Sequence, residues 1–121
     1  MARIIIIDDD AQILDMLRQM LEREGYEVMD ALNGKDGIRL YREEQADLII
    51  TDILMPEKEG IETIMELKRD FPDVKIIAIS GGGRIDPEEC LYLAKELGAL
   101  RTFTKPVERE KLLGAAQELI G

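Results

Sequence analysis

Asp47-Leu48-Ile49-Ile50-Thr51-Asp52-Ile53-Leu54-Met55-Pro56 is the stretch that decides the fold. Leu48 to Ile50 is a short apolar run with the length and β-branched content of a buried strand. The run stops at Thr51-Asp52, and Pro56, which has no N–H for a ladder, cannot continue it as a central strand. Asp52 is therefore expected where a buried strand opens into a surface loop. Taken alone, such a residue reads as a solvated loop aspartate or a helix cap. It gains weight because three other expected strand ends also carry polar groups.

Towards the N-terminus, Arg3 to Ile7 reads as a fully buried strand, since four consecutive isoleucines leave no polar face. Asp8-Asp9-Asp10 ends it. Asp10 is the expected N-cap of a helix from Ala11 to Glu24 with Ile13, Leu14, Leu17 and Leu21 as its apolar stripe, and Gly25 follows where a positive φ is needed. A shorter strand is expected over Tyr26–Met29, and a helix from Asn33 or Gly34 to about Glu44 with few apolar positions, Ile38 and Tyr41. Towards the C-terminus, the pattern predicts a helix from about Ile61 to Asp70, stopped by Pro72, and a strand over Val74–Ile79 broken by Ser80-Gly81-Gly82-Gly83. A helix over Pro87–Leu97, a strand over Leu100–Thr104 ended by Lys105-Pro106, and a last helix over Glu108–Ile120 complete the chain.

Strand and helix alternate five times. That rhythm builds an α/β domain in which helices cover both faces of a doubly wound, five-stranded parallel sheet, through right-handed crossovers. The length, 121 residues, suits one domain over 1–121, and no linker or low-complexity segment divides it.

In an open parallel sheet, ligands bind outside the carboxyl ends of the strands. Those ends here carry Asp8 and Asp9, Asp52, Ser80 and Lys105. If the first and third strands are neighbours, three carboxylates meet in one crevice. Each like-charge pair at ~4 Å costs about 4 kcal/mol at an effective dielectric of ~20, so the cluster calls for a compensating cation or a shifted pKa. Lys105 offers one positive charge and a metal ion offers two. All the donors are oxygens, a set that selects Mg²⁺ or Mn²⁺ over zinc or copper, and Mg²⁺ held by few carboxylates commonly binds together with phosphate. Each group has a bland reading by itself: Asp8-Asp9-Asp10 as a helix cap, Ser80 as a loop serine, Lys105 as a surface lysine. Their joint placement points to phosphoryl transfer.

Composition narrows the classes. A net charge of −10 repels nucleic-acid backbones. The chain has no histidine, which removes a Ser-His-Asp triad, a His-ligated zinc site and a phosphohistidine of its own; any imidazole must come from a partner. Cys90 is the lone cysteine, so no internal disulfide forms and a reducing, cytoplasmic setting fits. No apolar run approaches the length of a membrane span, and Ile4–Ile7 is too short for the apolar core of a signal peptide.

The ordered set resembles the response-regulator receiver domain of two-component signalling, the CheY-like family. The matching residues are Asp8-Asp9, Asp52-Ile53-Leu54-Met55-Pro56 with Gly60, then Ser80, Gly98-Ala99 and Lys105-Pro106. The intervals are 43 residues from Asp9 to Asp52, 28 to Ser80 and 25 to Lys105. Each motif is weak alone and the series is specific, covering the chain from Arg3 to Gly121. The resemblance implies strand order 2-1-3-4-5 and a phosphoacceptor at Asp52 that takes a phosphoryl group from a sensor histidine kinase or a His phosphotransfer protein. It implies Mg²⁺, or Mn²⁺, on Asp9, Asp52 and the backbone carbonyl of Leu54, with Asp8 acting through metal-bound water. Lys105 and the Ser80 hydroxyl would hold phosphoryl oxygens, and Lys105-Pro106 would be cis. Such a domain signals, and catalyses only its own phosphorylation and dephosphorylation.

Some positions depart from the family pattern. Ser80 stands for the commoner threonine and keeps the hydroxyl. Gly81-Gly82-Gly83 gives the following loop unusual backbone freedom. Thr102 occupies the position of the family's switch aromatic, and strand alternation sends Phe103 to the opposite face. Val107 replaces a frequent aromatic. A signal is then expected to travel through the loop and helix at 80–97, and Leu91 or Tyr92, with strand five and the last helix, is a candidate partner or homodimer surface. Three rivals share parts of the pattern. A haloacid-dehalogenase-type phosphatase needs a second Asp where Leu54 stands; a flavodoxin-like binder would bring anionic FMN to three aspartates; a pseudo-receiver would bind partners without phosphorylation.

Overall fold

The computed structural model describes residues 2–53, 59–80, 92 and 94–121. Five strands form one parallel sheet: β1 (Arg3–Ile7), β2 (Glu27–Ala31), β3 (Leu48–Asp52), β4 (Ile76–Ser80) and β5 (Arg101–Thr104), in the order β2-β1-β3-β4-β5. Helices α1 (Ala11–Arg23), α2 (Gly34–Glu43), α3 (Glu59–Asp70) and α4 (Arg109–Ile120) alternate with them, and residues 94–96 are also helical. This is the expected doubly wound α/β architecture.

The isoleucine run of β1 explains the layering. Ile5 and Ile7 pack with Ile49, Ala78, Ile64 and Leu67 on the α2–α3 side. Ile4 and Ile6 pack with Ile50, Ile79, Leu17 and Leu112 on the α1–α4 side. Both faces of the central strands are covered, so every residue of β3 and β4 is buried. The α2 stripe is short in apolar side chains, as expected. Buried Gly37 lets it lie close to Ile7 and Ala31 of the sheet, and Tyr41 meets Phe71 of the neighbouring connection edge-to-face at 4.9 Å.

Local signals fix the ends. Asp10 Oδ1 accepts from the Gln12 N–H at 2.9 Å, and Asn33 Oδ1 from the Asp36 N–H at 2.8 Å, so α1 and α2 are capped as the sequence indicates. Gly25 and Gly98 adopt φ of 91° and 117° after helical segments, a region that favours glycine. Lys105-Pro106 is cis.

Several boundaries move. β2 runs over Glu27–Ala31 and not Tyr26–Met29, because Ile7 pairs with Ala31 while Tyr26 closes a turn onto Leu21. Asp30, which has no assignable role in the sequence, ties β2 to α1 through Arg18 at 2.7 Å. β4 begins at Ile76, since Val74 donates back to Phe71 in a turn, and it extends to Ser80, which pairs with Thr104. α3 starts at Glu59, two residues earlier than expected. Of the helix expected over Pro87–Leu97, residues 92 and 94–96 are helical; Leu91, Leu93 and Cys90, like the Gly81-Gly82-Gly83 loop, lie outside the described residues. No helix among the described residues is long and apolar enough to cross a membrane.

Candidate functional site

Parallel strands bring their carboxyl ends to one edge, and the polar residues expected there do converge. Asp8 follows β1, held in line by its N–H donating to Ala31 O at 3.2 Å. Asp52 ends β3, flanked by the Ile53 N–H bond to Ile79 O. Ser80 ends β4, and its carbonyl accepts from the Lys105 N–H at 2.7 Å, which draws the start of the cis peptide against it.

Burial makes the electrostatics strong. Asp8 is 2% exposed and Asp52 4% exposed, whereas Asp9 is open to solvent. One oxygen from each of Asp8, Asp9 and Asp52 lies within 4.8 Å of the others. Lys105 Nζ donates to Asp8 Oδ2 at 3.0 Å and to Asp52 Oδ2 at 3.1 Å. The other Asp8 oxygen accepts from the Asp10 N–H at 2.9 Å. Three carboxylates against one ammonium leave a net of two negative charges, the complement of a divalent cation.

Titration follows this layout. Desolvation by burial raises the Asp8 pKa, with the Asp52 charge adding to it, against the hydrogen bonds from Asp10 and Lys105. Burial alone pulls the Lys105 pKa down, but the hydrogen bonds and charges of Asp8 and Asp52 outweigh it, and the net direction is up. Lys105 is thus held as an ammonium between two buried carboxyl groups.

Ser80 is fully buried, and its hydroxyl has no hydrogen-bond partner among the described residues. A buried hydroxyl left without a partner costs about 1–3 kcal/mol, so a group that can accept from it is favoured at this strand end. Leu54, expected to offer a backbone carbonyl, lies outside the described residues, as do Met55 and Pro56.

The model of the response regulator receiver domain matches residues 4–117. The chain belongs to this family. It is 38% identical over 113 residues to the protein PilH of Pseudomonas aeruginosa, covering 93% of each chain. It is 31% identical over 119 residues to the transcriptional regulatory protein GlrR of Escherichia coli, covering 98% of this chain and 26% of that longer one. A receiver domain from Clostridium thermocellum superposes with a TM-score of 0.90 at 32% identity, over 99% of this chain and 94% of that one.

The receiver departs from expectation beside the site. A cleft of about 490 Å³ is lined by Ile13, Met16 and Leu17 of α1 with Ile79, Lys105, Pro106 and Val107. Lys105 belongs both to this cleft and to the carboxylate cluster. The sequence reading missed the cleft; its trace was Val107, an apolar residue straight after Lys-Pro. A second cleft of the same size, between α2 and α3, holds Arg39, Arg42, Glu43 and Glu66, which pair with one another or with nearby acids, and none of the converging carboxylates. Phe103 packs with the α1–α4 side of the core, opposite to Thr102, as strand alternation predicts.

Proposed function

We propose that this receiver, a single unit over residues 1–121, accepts one phosphoryl group on Asp52 from the phosphohistidine of a histidine kinase or His phosphotransfer protein. The observation that carries this reading is the meeting of the Asp8, Asp9 and Asp52 carboxylates, two of which, Asp8 and Asp52, share the Lys105 ammonium, with the Ser80 hydroxyl, which has no partner among the described residues, at the adjacent strand end. An Asp52 carboxylate oxygen forms the new O–P bond while the N–P bond to the donor imidazole breaks, its electron pair remaining on nitrogen. Lys105 then turns from balancing two carboxylates to balancing phosphoryl oxygens, and Ser80 donates to one of them. Positioning and charge neutralisation carry such a transfer.

The Asp8, Asp9 and Asp52 oxygens fit a hard divalent cation; Asp9 and Asp52 would hold Mg²⁺ or Mn²⁺ directly and Asp8 through water, and the Leu54 carbonyl, outside the described residues, would be a further ligand. When bound, the ion supplies positive charge against the phosphoryl oxygens. The cytoplasm, where histidine kinases present their phosphohistidines, is the proposed setting. The output is proposed to run through residues 80–97 and the face of β5 and α4. Tyr92, 69% exposed, and Leu91 are its candidate contacts with a downstream partner or a second copy.

The test is incubation with acetyl phosphate and Mg²⁺ followed by intact mass. The expected result is a gain of one phosphoryl group that Asp52→Asn abolishes. An undiminished gain in Asp52→Asn would remove the assignment, continuous phosphate release would mark a phosphatase, and no gain in the parent would mark a pseudo-receiver.

A further inference from the structure

Gly60 opens α3 directly against the end of β3. A Cβ built on it would stand 2.3 Å from Ile53 Cα, 2.4 Å from Asp52 O and 2.9 Å from Ile53 C. All three are backbone atoms of the strand end that carries Asp52. Ile64 and Leu67, on the same side of α3 at the i+4 and i+7 positions, are both fully buried, so the helix is pinned by its own core contacts. Asp52 and Ile53 are themselves 4% and 2% exposed, and Ile53 donates to Ile79. Both sides are therefore held by buried contacts of their own.

Resting on the phosphoacceptor role of Asp52, we propose that Gly60 is a positioning residue for that group: its missing side chain sets the Asp52–Ile53 backbone in reach of Lys105 and Asp8. A single added methyl must displace α3 or the strand end by about an ångström to reach normal contact. Displacements of that size at a reacting group cost on the order of 10²-fold in rate. Gly37 provides the contrast. Its Cβ would meet Ile7 Cδ1 at 2.3 Å and Cγ1 at 2.7 Å, side-chain atoms and not the backbone of the strand end that carries Asp52.

The experiment compares the parent, Gly60→Ala and Gly37→Ala in trimethylamine N-oxide, which favours the folded state of weakened chains. Folding is checked by circular dichroism. Phosphorylation by acetyl phosphate and the rise in melting temperature caused by Mg²⁺ are then measured. The expected result is a roughly 10²-fold slower Gly60→Ala with a diminished Mg²⁺ response, while Gly37→Ala melts lower but keeps both readouts near the parent. Equal rates in Gly60→Ala and the parent, or equal losses in the two variants, would overturn the proposal. So would a Gly60→Ala chain that stays unfolded in the osmolyte, because the contact would then serve the fold as a whole. A parent that takes no phosphoryl group defeats the phosphoacceptor reading instead.

Discussion

At the scale of single residues, Asp8 and Lys105 pull stability in opposite directions. Burial raises the Asp8 pKa, so the folded chain holds that proton more tightly than the unfolded one. The associated stability is present below the unfolded value of 3.8 and is lost as pH rises through the folded pKa. Ionising the buried Asp8 is therefore a burden in the absence of metal. Asp8→Asn should melt higher than the parent in chelator at pH 7, by a few degrees, with about 1 kcal/mol worth roughly 4 °C at this size. The gain should shrink as pH falls towards the unfolded pKa, and a gain that grows there would contradict the assignment. Lys105→Met leaves Asp8 and Asp52 facing each other without a cation. It should melt lower in chelator by about 1–3 kcal/mol, below the usual cost of breaking a buried pair because Lys105 is one-quarter exposed. Thermal melts across pH decide both. The order Asp8-Asp9 in the sequence does not tell which carboxylate is buried. Relief of strain would be sought as readily at Asp9, which the fold leaves in water.

At the scale of elements, the sequence was most legible where physics acts locally. Four isoleucines bounded by three aspartates, the caps Asp10 and Asn33, and the positive-φ glycines Gly25 and Gly98 each mark their element without tertiary information. The carboxylate cluster was legible for a related reason, since parallel strands must align their ends. What escaped depends on packing between distant segments. Asp30 and Ala31 look like loop residues until β1 pairs with them, and the close approach of Gly60 exists only once α3 lies on β3. The cleft between α1 and Lys105-Pro106-Val107 joins segments nearly ninety residues apart. Its apolar wall, with Met16 45% exposed, shares Lys105 with the carboxylate cluster, and under the proposed phosphoacceptor role it is the proposed docking place of a phosphohistidine protein. Met16→Glu should slow transfer from such a protein about tenfold, a typical loss of ~1.4 kcal/mol at an interface, while leaving acetyl phosphate reactivity within about twofold. Stopped transfers resolved by gel would measure it. Equal slowing with both donors would mean damage to the carboxylates, and no slowing would place the donor elsewhere.

At the scale of the whole molecule, the question is how one new phosphoryl group is read at a distance. On the proposed phosphoacceptor Asp52 it would offer charge-assisted contacts to Lys105 and Ser80, worth roughly 1.5–3 kcal/mol each, or about 3–6 together. Taking a two-state equilibrium from 1:99 to 99:1 needs about 5.5 kcal/mol. The two contacts are barely sufficient, so losing either leaves a weak switch. Thr102 and Phe103 offer no aromatic able to swing between buried and exposed positions on the α2–α3 side: Phe103 is committed to the opposite core. The Ser80 hydroxyl, without a partner among the described residues, is the proposed coupling point, at the end of β4 and directly before the three glycines. In the proposed route, drawing Ser80 towards the phosphoryl group would act along the chain that follows it, up to residue 97. Amide exchange with and without beryllofluoride, a phosphoryl mimic, should therefore change most within residues 80–97. The expected change is largely lost in Ser80→Ala even when that variant is saturated with the mimic, because Lys105 alone supplies at most about half of the required bias. An unaltered 80–97 segment in the parent, or a full response in Ser80→Ala, would mean that the signal leaves the site by another route.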